Sequence, residues 1–208
     1  MKKLSIISVL ILVAIIGFAA ILPMKSLVDK GYKVGDKVSD FSLKNIDNTQ
    51  VSLASIKETK GFIIVFTCNH CPFAKMYEDR IIDLHKQFAT QGYPVVAISS
   101  NDVVKQPEDS FELMAARAKE KSYPYVYLYD ETQEVALRFG AMRTPHVYVL
   151  TKKGTELEVA YIGAIDDKPE NEGAANEKFV KNAVNQLLKG QKVIVANTKA
   201  VGCTIKWK

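Results

Sequence analysis

Cys68 and Cys71 are separated by two residues, directly after an apolar run and before a stretch with helical periodicity. At the amino end of a helix, unpaired backbone N–H groups and the helix dipole stabilise a negative charge. A thiol placed there has a lowered pKa, so that more of it is the nucleophilic thiolate. We therefore expect Cys68 to be the nucleophile of a reversible thiol–disulfide exchange. Cys71, one helical turn further on, is expected to resolve the mixed disulfide.

Asn69 and His70 lie between the two cysteines. An imidazole beside the thiolate supplies a donor or a positive charge, which stabilises the reduced pair and makes its disulfide more oxidising. We expect Asn69 and His70 to tune the reduction potential. A solvent-exposed loop histidine is the other interpretation of His70.

Two other uses of the cysteine pair are a structural staple and a metal site. A disulfide across four residues closes a small loop and removes little entropy from the unfolded chain. Zinc needs four ligands, and the pair supplies two; Cys203, His85 and His146 are the other candidates. Cu(I) held by Cys68, Cys71 and His146 is a further alternative. The spacing beside a strand–helix–strand pattern favours redox chemistry, with no cofactor and no metal.

The first thirty residues have the pattern of an export signal. Lys2 and Lys3 precede an uncharged apolar stretch from Leu4 to Met24, which reaches the roughly 20 residues that span a bilayer. Positive charge before such a stretch is retained in the cytoplasm. We predict that residues 1–30 are an N-terminal membrane anchor, or a cleaved signal peptide. In either case the rest of the chain is extracytoplasmic, facing the periplasm or secreted into it.

The remaining length suits one domain with a substantial core. Of the 208 residues, we assign 31–190 to that domain and 191–208 to a C-terminal tail packed on or near it. The formal charge of +5 falls to +2 without the leader, so there is no electrostatic argument for a nucleic-acid partner.

Along the chain, the spacing of apolar residues alternates between the pattern of a strand and that of a helix. This order predicts an α/β fold with three layers: a mixed central sheet, parallel at its centre, helices on both faces, and an N-terminal β-hairpin. Strands are predicted at 41–45, 50–54, 61–67, 93–100, 125–129, 146–150 and 157–163, and helices at 71 to about 90, around 111–118, at 134–140 and at 174–189.

Several polar residues have an ordinary structural explanation. Glu78, Asp79 and Arg80 are interpreted as a solvated helix face. Asn101 and Asp102 follow a predicted parallel strand, where functional loops are common, but turn formation explains them equally well.

Thr144-Pro145 stands immediately before an apolar strand. Because proline cannot donate to a sheet, it is expected at the first residue of the strand or at an edge. The sequence does not determine the isomer of the Thr144–Pro145 bond.

With these pieces together, the chain resembles the thioredoxin superfamily: strand, Cys68-Asn69-His70-Cys71, helix, then Thr144-Pro145 opening a terminal hairpin and a final helix. In that superfamily the threonine–proline bond is cis and lies against the cysteine pair, where its backbone helps to align the substrate. The resemblance implies this role for Thr144 and Pro145.

Residues 32–208 are similar in particular to the AhpC/TSA branch, which is peroxiredoxin-like and TlpA-like, and within it to a subgroup with a CxxC motif. The resemblance implies a thioredoxin-like fold and an enzyme that exchanges disulfides with protein thiols and with an upstream redox partner. A thiol peroxidase using Cys68 is the alternative. The chain lacks the proline and threonine that peroxiredoxins place before their peroxidatic cysteine, and a dipeptide ending in His resembles oxidising members such as DsbA.

Cys203 is the third cysteine and lies in the tail, near Gly202 and Trp207. Three roles are open to it: a third redox cysteine of the active site, an intermolecular disulfide, or an inert buried thiol.

Overall fold

The computed structural model describes residues 31–208, and the predicted leader lies outside this range. Ten strands and four helices were assigned in it. The strands are β1 (Lys37–Val38), β2 (Ser42–Asn45), β3 (Gln50–Ser52), β4 (Gly61–Phe66), β5 (Val95–Ser99), β6 (Val126–Tyr129), β7 (Arg143–Thr144), β8 (His146–Lys153), β9 (Glu156–Gly163) and β10 (Cys203–Thr204). The helices are α1 (Pro72–Phe88), α2 (Phe111–Lys121), α3 (Glu134–Phe139) and α4 (Phe179–Leu188). No helix within 31–208 combines the length and apolarity that crossing a membrane requires.

Eight strands form one mixed sheet in the order β1-β9-β8-β4-β5-β6-β2-β3. β4, β5 and β6 are parallel, whereas β8, β9 and β1 on one side and β2 and β3 on the other add antiparallel strands. The predicted parallel centre, the N-terminal hairpin and the terminal β8–β9 hairpin are therefore confirmed. β10 and β7 form a separate antiparallel pair.

β4 is the central strand, and all six of its residues are buried. Its apolar side chains alternate between two cores, because successive residues of a strand point to opposite faces. Ile63 and Val65 join the core under α1, α2 and α4. Phe62, Ile64 and Phe66 join the core under α3, which also contains Ile205 of the tail. Helices thus cover both faces, and β4 is held in place from both sides.

α1 follows β4 and is anchored by two ion pairs whose members on α1, Glu78 and Arg80, are buried. Arg80 donates to Asp166 over 2.6 Å and to the carbonyls of Lys168 and Pro169. Glu78 accepts two hydrogen bonds from Arg117 of α2, at 2.6 and 2.8 Å. The interpretation of Glu78 and Arg80 as solvated is wrong, since both are buried with partners from distant segments.

The last helix is shorter than predicted, beginning at Phe179 rather than at residue 174. The reason lies in the preceding loop. Two of its carbonyls bind Arg80, and the N–H of Asp167 donates to the carbonyl of Glu177, so the loop is held in a non-helical path.

The Asp166 carboxylate provides a test of how α1 is anchored. Asp166→Ala leaves the Arg80 guanidinium buried without its counter-ion and removes the acceptor of the Tyr77 hydroxyl. We expect the free energy of unfolding to fall by about 3–5 kcal/mol, measured by denaturant titration. The exposed Asp83 of the same helix is the control, because Asp83→Ala should change stability by no more than about 0.5 kcal/mol. Equal stability of the two variants would contradict the anchoring role.

Candidate active site

The cysteine motif occupies the turn between β4 and α1. Cys71 is the residue that caps α1, and Pro72 is the first residue in the helix, a position where the missing N–H of proline costs nothing. Cys68 lies three residues before that cap, outside the helix. The helix therefore begins at the second cysteine rather than at the first.

Both sulfurs contact Thr144, whose peptide bond to Pro145 is cis. The Cys68 sulfur lies 3.2 Å from the Thr144 hydroxyl and 3.5 Å from Nδ1 of His70. When it is protonated, the Cys71 thiol donates to the Thr144 carbonyl over 3.2 Å. Both cysteines are free thiols; Cys68 is 4% exposed and Cys71 not at all. Cys68 therefore keeps a small exposed surface, whereas Cys71 is completely covered.

The two thiols share one proton. A hydrogen bond from Cys68 lowers the pKa of Cys71 to about 4, and further donors to its sulfur act in the same direction. The hydrogen bond to Cys71, then burial, then the negative charge of Asp109 raise the pKa of Cys68. The pKa directions are the reverse of those expected from the sequence, because the Cys68 thiol donates to the Cys71 sulfur. The pair titrates as a unit with one early and one late ionisation.

Asp109 holds the two residues between the cysteines. One carboxylate oxygen accepts the backbone N–H groups of Asn69 and His70, at 2.7 and 3.0 Å. The other lies 2.6 Å from Nδ1 of His70 and accepts from the amide of Asn101 over 2.7 Å. Asp109 is fully buried. His70 is therefore a fixed neighbour of the Cys68 sulfur, not a freely exposed loop histidine.

Asn69 is fixed as well: its amide donates to the Glu108 carbonyl over 3.0 Å and accepts from the Tyr127 hydroxyl over 3.2 Å. Sequence reasoning missed Asp109 and Tyr127. The available signal was the acidic loop after β5, since loops at the carboxyl ends of parallel strands lie beside one another. Asn101 and Asp102 were singled out there, but Asp109, further along the same loop, is the acid that reaches the motif.

The tail places Cys203 against the pair. β10 runs antiparallel to β7 with Cys203 opposite Thr144. The N–H of Cys203 points to the Cys71 sulfur over 3.4 Å, and the Cys203 side chain packs on the cluster formed by Cys68, Cys71 and Ala74. All three cysteines of the chain thus meet at one place.

Within residues 31–208, one group of potential metal ligands lies close together, with Cys68, His70 and Asp109 offering atoms within 4.8 Å of one another. Each oxygen of Asp109 already accepts two hydrogen bonds, so the carboxylate has little capacity left for an ion. His146 is not in this group; burial and then the charge of Arg143 lower its pKa to about 4, and its Nδ1 accepts from the N–H of Met142. The set of Cys68, Cys71 and His146 is therefore not assembled.

Residues 34–160 match the model of the AhpC/TSA family. This stretch contains the cysteine motif, Asp109 and Thr144-Pro145, and it is more than half of the chain. The chain belongs to the AhpC/TSA family. Its fold is thioredoxin-like, and the AhpC/TSA match ends before the tail with Cys203.

Three proteins illustrate what this chain is similar to. A thiol-disulfide oxidoreductase ResA of Oceanobacillus iheyensis is 31% identical over 163 residues, covering 75% of this chain and 78% of that protein. An uncharacterised conserved protein from Geobacillus kaustophilus has a crystal structure that is 37% identical, with a TM-score of 0.78 over 85% of this chain and 93% of that one. A hypothetical protein from Sinorhizobium meliloti is 30% identical, with a TM-score of 0.78 over 86% and 97%.

The shared proton predicts a thiolate at low pH. Absorbance at 240 nm of the reduced protein should rise with a midpoint at about pH 4, since Cys71 is a thiol below this pKa and a thiolate above it. Cys68→Ser keeps a hydroxyl donor and should retain the early step. Cys68→Ala removes the donor and should move the midpoint towards roughly 8.5, the pKa of an ordinary thiol. A wild-type protein without thiolate absorbance below about pH 6 would refute the shared proton.

Asp109 should stabilise the motif. Asp109→Ala leaves the N–H groups of Asn69 and His70 and the amide of Asn101 without their acceptor, which should lower the free energy of unfolding by about 3 kcal/mol. Asp102→Ala is the matched control from the same loop, because among the described residues the Asp102 carboxylate accepts only from the N–H of Val104 in its own turn. We expect the control to cost less than about 1 kcal/mol. Similar losses in the two variants, by denaturant titration, would argue against a special role for Asp109.

Proposed function

We propose that this chain is an extracytoplasmic thiol–disulfide oxidoreductase, in which Cys68 and Cys71 exchange disulfides with protein thiols. One observation carries the proposal: two free thiols at the start of α1 both contact Thr144, and Cys68 is the one that keeps a small exposed surface. An accessible nucleophile beside a buried resolving thiol is the arrangement that exchange requires. The similarity to a protein named thiol-disulfide oxidoreductase supports it.

In the reducing direction, Cys68 passes its proton to Cys71 and attacks a sulfur of the substrate disulfide. A bond forms between Cys68 and that sulfur, and the other substrate sulfur leaves as a thiolate. Cys71 then attacks the Cys68 sulfur, and its proton goes to the departing thiolate. The products are a reduced substrate and a Cys68–Cys71 disulfide, which an upstream thiol protein must reduce. The same steps in reverse oxidise a dithiol.

Asn69, His70, Thr144 and Pro145 surround the reacting sulfurs. We assign potential tuning to His70, whose ring nitrogen lies 3.5 Å from the Cys68 sulfur, and to Asn69, which holds the turn. Thr144 donates or accepts at the Cys68 sulfur through its hydroxyl. Thr144 and Pro145 carry the substrate-aligning role of the superfamily. The chemistry uses cysteine sulfur alone and needs no cofactor.

The proposed location follows from residues 1–30. Their charge and apolarity are those of an uncleaved anchor or a cleaved signal, which would deliver the domain to the outer side of the membrane. Disulfide exchange is most useful in such an oxidising compartment.

Cys71→Ser should trap the mixed disulfide on Cys68, because the resolving sulfur is gone while the accessible one remains. Incubation of the reduced variant with oxidised glutathione should add a glutathione to Cys68, which peptide mapping locates because Cys203 lies in a different tryptic peptide. In Cys68→Ser, glutathione should be added to Cys71 at a rate that is lower by roughly ten-fold or more, since that sulfur is buried.

An equal rate at Cys71, or no adduct on Cys68, would contradict the assignment of roles. The peroxidase alternative has a separate signature. Reduced wild-type protein would then be oxidised by hydrogen peroxide far faster than a free thiol, in a stopped-flow measurement, whereas we expect the rate of an ordinary thiol.

A further inference from the structure

Cys71 is the central sulfur of a group of three. It packs with Cys68 in one buried cluster, and the Cys203 side chain packs against the same cluster. The backbone N–H of Cys203 points to the Cys71 sulfur over 3.4 Å. A disulfide needs two cysteines that lie close together in the folded chain. Cys71 has two such neighbours.

The tail is built to hold Cys203 at this position. Gly202 packs so closely that a Cβ there would lie 2.1 Å from the Thr144 carbonyl oxygen, so no larger residue fits. Arg143 donates to the Gly202 carbonyl over 2.9 Å. On the other side of Cys203, Ile205 is buried in the core under α3, and the N–H of Lys206 donates to Asn101 over 2.8 Å.

We propose that Cys203 is a third redox-active cysteine, which accepts Cys71 from the Cys68–Cys71 disulfide and forms a Cys71–Cys203 disulfide. This inference rests on the proposed function of the cysteine pair. It is carried by the contacts of Cys71 with both neighbours and by the close packing that fixes the tail.

The step is an internal exchange and needs no further oxidant. The Cys203 thiolate attacks the Cys71 sulfur, the bond between the Cys203 and Cys71 sulfurs forms, and the bond between Cys71 and Cys68 breaks. The electron pair of the broken bond stays on Cys68. The proton lost by Cys203 ends on Cys68, so one disulfide and one thiol are present before and after.

Oxidation of the pair itself prepares Cys203 for this attack. In the reduced protein, burial and then the hydrogen bond to Cys71 and its charge raise the pKa of Cys203 to about 11, against the lowering effect of Lys206. Once Cys71 is bonded to Cys68 it carries no negative charge. Two of the causes that hold the proton on Cys203 then disappear, whereas the charge of Lys206 remains.

The exchange would give the enzyme two separate contact points. Cys71 has no exposed surface, while Cys203 is half-buried. A thiol protein can therefore attack the Cys203 sulfur of the Cys71–Cys203 disulfide without displacing a substrate from Cys68. The substrate thus reacts at Cys68, and the upstream redox partner, a second thiol protein, reacts at Cys203.

The test is to oxidise the full-length Cys68→Ser variant with oxidised glutathione and to map its disulfides after trypsin digestion at acidic pH. Cys71 lies in the tryptic peptide 61–75 and Cys203 in 200–206, so their disulfide joins two peptides. We expect this cross-linked peptide, from a protein that runs as a monomer on a non-reducing gel. Only glutathione adducts, or a dimer linked through Cys203, would overturn the proposal.

Two tail variants in the Cys68→Ser background sharpen the result. Gly202→Ala should reduce the cross-link roughly ten-fold, because the added Cβ displaces Cys203 from bonding range. Val201→Ala is the matched control, since Val201 is 41% exposed and should leave the cross-link unchanged. Equal cross-linking in the two variants would contradict the proposal, because it would show that the packing of the tail does not bring the Cys71 and Cys203 sulfurs together.

The experiments distinguish failure of the transfer of the disulfide to Cys71–Cys203, here called the relay, from failure of the proposed function. Cys203→Ser should still form the Cys68–Cys71 disulfide, which stays within the single peptide 61–75. If that variant forms it and Cys68→Ser forms no cross-link, the exchange function stands and the relay does not. If neither disulfide forms, the proposed function itself fails.

Discussion

Thr144 is the residue through which the three cysteines are held together. Its hydroxyl contacts the Cys68 sulfur, and its carbonyl oxygen lies next to the Cys71 sulfur, both over 3.2 Å. Its backbone pairs with that of Cys203. Thr144 is 2% exposed, so these contacts are made away from water, where each hydrogen bond is stronger and harder to replace. The start of α1, the start of β8 and the tail all converge on this one residue.

The sulfurs keep their positions because the elements around them are rigid. β4 is packed on both faces, and α1 is tied to α2 by Glu78 and to the loop after β9 by Arg80. Asp109 also fixes the turn between the cysteines, because its carboxylate accepts hydrogen bonds from the backbone N–H groups of that turn. A reactive group held by packed elements and a hydrogen-bonded outer layer keeps its geometry.

The electrostatics of the site follow from one negative charge shared between two sulfurs. Cys71 carries it more easily because several donors point at its sulfur, whereas the hydrogen bond to Cys71, burial and then the Asp109 charge keep the proton on Cys68. Both sulfurs are buried, and Cys68 holds its proton more tightly than Cys71 does. In the proposed mechanism, transfer of that proton to Cys71 makes Cys68 the nucleophile. The sequence predicted the thiolate on Cys68. It could not show which of the two sulfurs the hydrogen-bond donors face, because that depends on contacts formed only in the folded chain.

The sequence by itself determined the parts that depend on local pattern. Apolar runs and helical spacing predicted the strands β4, β5, β6, β8 and β9 and the extent of α1, because these elements bury side chains with a period set by the backbone. The spacing of Cys68 and Cys71 was likewise visible as a possible exchange pair. What only the tertiary structure decided are contacts between residues far apart in the chain: Asp109 with His70, Arg80 with Asp166, and Cys203 with Cys71. No periodicity encodes such contacts, since they arise where separate loops and the tail meet in the folded chain.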